Sequence, residues 1–171
     1  MALKVFNDEP LYLETQNELN EYLDKIFVED RHLNAEKVAT FQVVDISAGK
    51  TDTPDNVLAI GIDYLSGYGG ILWYCDGAIF DRVAETLGED VADNVWVSRN
   101  PNPLENDPQV VCDPWCPSYF DRVSALPLDE VRSVVEGFFH EGTGYRPTQI
   151  DWVKGYFTGE LQIEDGQSQG S

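Results

Sequence analysis

Residues 124–152 carry a helix pattern that runs directly into a strand pattern, and each pattern has a single apolar face. Pro127 suits a first helical turn, because its fixed φ is helical and its missing N–H would be unpaired there. Asp129 and Glu130 place negative charge where the helix dipole favours it. Val131, Val134, Val135, Phe138 and Phe139 then recur at three- and four-residue spacing, which predicts one buried stripe up to His140. Gly142 marks the stop, Arg146-Pro147 closes a turn, and Ile150 and Trp152 alternate with polar neighbours as in a half-buried strand. A one-faced helix feeding a one-faced strand needs a sheet to lie on.

The rest of the chain supplies strands for it. Val57 to Leu65 turns Leu58, Ile60, Ile62 and Tyr64 to one side, and Ile71 to Cys75 returns as Ile-Leu-Trp-Tyr-Cys. The glycine-rich step Ser66 to Gly70 between them predicts an antiparallel hairpin. Leu3 to Phe6, Leu11 to Leu13, Val38 to Ile46 and Val95 to Val97 read as further strands. Thr15 and Glu18 have the capping-box spacing, ahead of a helical stripe of Leu19, Tyr22, Leu23, Ile26 and Phe27. Ser47 to Asn56 reads as a polar loop, Asp76-Gly77 as a turn, and Arg82 to Asp93 as polar and unassigned. Gly155 to Ile163 reads as an edge strand. The prediction is an α+β fold, a mainly antiparallel sheet with two helices packed on one face. It occupies a single domain over residues 1–163, with 164–171 a flexible tail.

Charge narrows the partners. With 31 acidic against 11 basic residues, the 171-residue chain carries a net −20. That field repels nucleic acid and anionic lipid and attracts basic proteins, so neither direct nucleic-acid binding nor membrane binding is expected. The N-terminus has no basic stretch followed by an apolar run, and nothing approaches membrane-spanning length, which predicts a soluble cytoplasmic protein. Three cysteines do not make a disulfide framework. Cys112 and Cys116 lack a second ligand pair, so reduced thiols are expected rather than zinc. His32 and His140 stand apart in the sequence, no phosphate cradle is present, and no calcium-loop spacing occurs. No catalytic residue, cofactor or metal is expected.

Several of these segments together resemble one family. The glycine-rich step with Gly69 and Gly70 enters a strand bearing Trp73. Asp76-Gly77, Val95-Trp96-Val97, Leu126-Pro127 and Phe138-Phe139 follow in order. Gly144-Tyr145-Arg146-Pro147 and Ile150-Asp151-Trp152 close it. Over roughly Val57 to Trp152 this is similar to the immunity proteins of bacterial polymorphic toxin systems, the first-numbered family, often encoded beside deaminase toxins. The resemblance implies a non-enzymatic inhibitor that binds one cognate toxin and blocks its active site. The motif positions Gly69, Gly70, Trp73, Pro127, Phe138, Gly144, Arg146, Pro147 and Trp152 are themselves read as shaping the fold rather than touching the toxin. The competing readings are a small carboxylate-dependent hydrolase with two inward-facing carboxylates, and an acidic adaptor domain.

Five prolines stiffen Asn100 to Ser118, which is expected to be mostly loop with one strand at Gln109 to Cys112. It combines Glu105, Asp107 and Asp113 with Trp115 and Tyr119, so these five residues are the candidate toxin contacts. The alternatives are that Trp115 tucks under the loop as local core, and that the acidic face of the first helix makes the contact instead.

Overall fold

The computed structural model describes residues 1–6, 9–33, 35–46 and 55–162. The Ser47 to Pro54 part of the expected polar loop, Ile163 and the 164–171 tail lie outside the described residues. The chain opens with strands β1 (Ala2–Phe6) and β2 (Pro10–Leu13). Helix α1 (Gln16–Phe27) follows, with the capping box in place: Glu18 N–H donates to Thr15 Oγ1 at 3.3 Å, and Thr15 N–H donates to Glu18 Oε2 at 2.9 Å. Strands β3 (Glu36–Val44), β4 (Asn56–Asp63) and β5 (Tyr68–Cys75) form the centre of the sheet. Helices α2 (Gly77–Leu87) and α3 (Glu89–Ala92) lead to β6 (Val95–Arg99). Then come the small hairpin β7 (Val111–Asp113) and β8 (Ser118–Tyr119), β9 (Leu126–Pro127), α4 (Leu128–Glu141) and β10 (Asp151–Gly155).

The sheet is antiparallel throughout its described pairings, in the order β10-β6-β5-β4-β3-β1-β2, and β9 pairs the start of β5. Period-two alternation sorts its residues cleanly. Leu58, Ile60, Ile62, Ile71 and Trp73 point to the helices, where Leu19, Leu23, Ile26, Val131, Val135 and Phe138 meet them. Arg132 of α4 reaches Asp24 of α1 at 2.8 Å and ties the two helices together.

Four local readings change. The turn of the central hairpin is shorter than expected, because β5 begins at Tyr68 and only Gly67 takes a positive φ, of 78°. Gly69 and Gly70 therefore lie within the strand. Asp76-Gly77 is not a turn between strands but the start of α2: Asp76 Oδ1 accepts the Gly77 N–H at 2.6 Å, and Ile79 and Val83 bury one stripe. Pro127 sits one residue earlier than predicted, at the N-cap of α4 rather than inside it. The stretch after β10 adds no full edge strand among the described residues, only the bridge Gly155–Leu161.

Strand β5 has two partners on one edge. It pairs β9 at Tyr68 and Gly69, and β6 at Leu72 and Trp73. Between them the Ile71 N–H would be orphaned, and Ser98 Oγ accepts it at 3.0 Å while donating to the Ser124 carbonyl at 2.7 Å. That buried hydroxyl fastens Ser124 to the middle of the sheet.

Candidate interaction surface

The face of the sheet away from the helices is only partly covered. Gly61 and Gly70 are cross-strand partners on that face. A Cβ on Gly70 would stand 2.4 Å from the Phe120 ring, and one on Gly61 would stand 1.8 Å from the Val111 carbonyl oxygen. The two glycines thus let residues 110–120 lie flat on the sheet, where Val110, Phe120, Leu72, Val97 and Ala125 form a second core.

The segment from Asn100 to Ser118 is held there at its far end and by separate bonds at its base. Asn100 holds the base of the segment, donating from its backbone to Val123 O at 2.6 Å and from its side chain to Ala125 O at 2.7 Å. Arg122 donates to the Leu104 carbonyl. Asp107 Oδ1 accepts the Gln109 N–H at 2.8 Å, where Gln109 takes a φ of +52°. The strand expected at Gln109 to Cys112 starts two residues later, as β7, and pairs with β8. At the tip, Asp113 Oδ1 accepts the N–H of Trp115 at 2.8 Å and that of Cys116 at 3.3 Å. This is an aspartate-capped turn, and it presents Trp115 with 93% of its surface exposed. The local-core reading of Trp115 is thereby excluded.

Behind Trp115 runs an open groove of about 530 Å³. Its floor is the sheet face left open beside the second core, Val38, Thr40 and Ala59, with the largely buried Val57 and Leu72 beneath, and its rim carries Phe6, Tyr74, Trp115 and Phe157. Phe157 stands 64% exposed and meets Tyr74 edge to face, with ring centroids 4.9 Å apart. Burial pushes the Tyr74 hydroxyl above its ordinary pKa, with Asp76 adding to the effect, so it is a neutral rim group at physiological pH. The carboxylate of Asp113 is the charged group that lines the groove, and none of its lining residues is basic.

Of the five candidate contacts, the groove brings together Asp113 and Trp115. Glu105 and Asp107 are exposed on the preceding loop and do not line it, and Tyr119 is 43% exposed on β8 outside it. Asp113 also has a holding task, since both turn bonds end on it. Phe157, Thr40 and Val38 were missed. The only signal for the last two was the outward half of a strand whose inward half reads as core. On the first helix, Glu18 is engaged in the capping box and Asp24 pairs Arg132.

The remaining motif residues are placed around the opposite, helix-covered side. Trp73 is fully buried and its indole N–H donates to the Gly144 carbonyl at 3.1 Å. Gly144 has a φ of +76°, and a Cβ there would be 2.7 Å from the Asn56 side chain. Asn56 in turn bonds both the N–H and the carbonyl of Val43, at 2.8 and 2.9 Å, extending the β3–β4 ladder with a side chain. Arg146 lies 4.2 Å over the Trp96 ring, and desolvation holds its guanidinium below its ordinary pKa. Pro147 is buried and its carbonyl accepts the Trp152 indole N–H at 2.7 Å. Phe138 is buried in the main core.

The three thiols differ sharply. Cys75 is buried and pushed up to about 11 by desolvation, with Asp76 adding to it. Cys112 is half-buried and likewise pushed up to about 11 by desolvation. Cys116 is exposed beside Trp115. A raised pKa leaves less thiolate near pH 8, so Cys116 is expected to react first with a colorimetric disulfide reagent. One fast thiol in the native protein and three after denaturation is the expected count; two or more fast thiols would contradict this packing.

Among the described residues no group of three or more His, Cys, Asp or Glu could hold a metal ion. Asp30 is the buried carboxylate of that set, and Lys37 pairs it. No helix among those residues is long and apolar enough to cross a membrane. The family model described as immunity protein Imm1 matches residues 7–154, a wider span than the segments that carry the sequence resemblance. No characterised protein and no solved structure matches.

Proposed function

The chain belongs to the Imm1 family of immunity proteins, and from that premise we propose that it neutralises one cognate toxin of a polymorphic toxin system by binding it one to one. The match over residues 7–154 carries this reading. Charge supports it and specifies the partner further. A protein of net −20 is drawn to a basic surface, and an enzyme that acts on nucleic acid needs a basic groove. The partner is accordingly a basic, nucleic-acid-targeting toxin domain; the family resemblance, not the charge, makes it a deaminase whose active site this chain occludes. Residues 1–163 act as one unit, in the cytoplasm, without turnover and without contact to nucleic acid or membrane.

The contact surface centres on the turn held by Asp113, with Trp115 as the anchor and Glu105, Asp107 and Tyr119 flanking it. An aromatic residue left in water on a rigid turn loses little entropy when it docks. Co-expression with a candidate cognate toxin domain tests the proposal. Growth is expected to recover, and an inactivated toxin is expected to co-purify as a one-to-one complex. Continued toxicity with both proteins present would overturn it.

A further inference from the structure

We infer that the groove between Trp115 and Phe157 seats a single arginine side chain borne on a basic segment of the toxin; this rests on the immunity reading above. The floor offers the half-exposed aliphatic side chains of Val38 and Ala59, with the edges of the buried Val57 and Leu72 beneath, the kind of surface against which the methylene stem of a long cation lies well. The rim is aromatic, and indole is the best face for a cation. The Trp115 indole is 93% exposed and therefore open to one. Two other places in the molecule make the same pairing with its own cations. Arg146 lies over Trp96, and Lys4 lies 5.0 Å over Phe6, which itself lines the groove.

The charged end of the ligand also has a partner. Both turn bonds at Asp113 use Oδ1, so Oδ2 is the atom an incoming guanidinium meets. A purely apolar occupant would instead strip water from that carboxylate and give nothing back. A second copy of this chain is a poor occupant, because two molecules of net −20 repel each other. Arginine fits better than lysine. Its plane can stack on the indole while its fork reaches the carboxylate, whereas an ammonium does one or the other.

The test measures binding of the inactivated toxin domain at fixed salt by calorimetry and by tryptophan fluorescence. Trp115→Ala is expected to weaken binding by at least about 30-fold, as for a central interface anchor, with the melting temperature unchanged. Thr40→Trp fills the floor of the groove and is expected to weaken binding to a similar degree. Phe157→Ala serves if that variant melts early. On the toxin, one arginine replaced by lysine should reproduce the loss and have no further effect against Trp115→Ala, the signature of a shared contact. If wild type binds tightly and the groove variants bind within threefold of it, the groove assignment is wrong and the immunity reading stands. If the groove variants weaken binding but no toxin arginine couples to Trp115, the arginine assignment is wrong. If wild type neither binds nor rescues growth, the immunity reading itself has failed.

Discussion

Phe138→Ala is expected to lower the unfolding free energy by about 3–5 kcal/mol, the usual cost of removing a buried aromatic ring. Phe138 retains 1% of its surface and belongs to the main core, together with Leu23, Ile26, Ile60 and Trp73 among others. Alanine removes the ring and leaves a void that close-packed neighbours fill only in part. Phe138→Leu keeps most of the volume and should cost far less. Phe139, next along the helix, is only half-buried and makes a useful comparison. Urea unfolding of the three variants at equal slope gives the answer. A change under about 0.5 kcal/mol for Phe138→Ala would be that of a surface site, and would mean that α4 does not bury this stripe.

Association with the toxin is expected to slow on the order of 10- to 100-fold as salt rises from about 0.01 to about 0.5 M. Steering acts at long range, where mobile ions screen it, and the net −20 of this chain is the source of the attraction. Dissociation should change much less, since contacts already stripped of water set it. Stopped-flow traces with an association rate flat in salt would remove the steering argument. Inhibition itself would survive that result, because it does not depend on how fast the partners meet.

Most of the sheet was legible in the sequence, and the reasons are local. Val57 to Leu65 and Ile71 to Cys75 alternate with period two, and their register follows once Gly67 reverses the chain. The stripes of α1 and α4 are strong because capping and spacing agree in each. Helix α2 was missed because its polar residues dilute a stripe of Ile79, Phe80, Val83 and Leu87, and because Asp76-Gly77 has the chemistry of a turn as well as of a cap. Gly70 was misread for a related reason. Glycine marks both tight turns and places where another layer presses close, and only the position of Phe120 decides between them. At the candidate surface, the exposed aromatics on the proline-rich segment were visible. The groove was not, because it joins β3, β4 and β5 to Phe157, which lies far along the chain. No window of sequence contains it.

The turn at Pro114–Pro117 is exposed; Asp113 caps it and its two prolines restrict its backbone, while Phe120 and Val110 anchor the segment on the sheet. Substitutions at 114–117 should therefore leave stability nearly unchanged while altering what the surface recognises. A lineage facing an altered toxin could exchange those few tip residues one at a time, each intermediate still folded. Partner choice can then drift quickly on a scaffold that has no need to change.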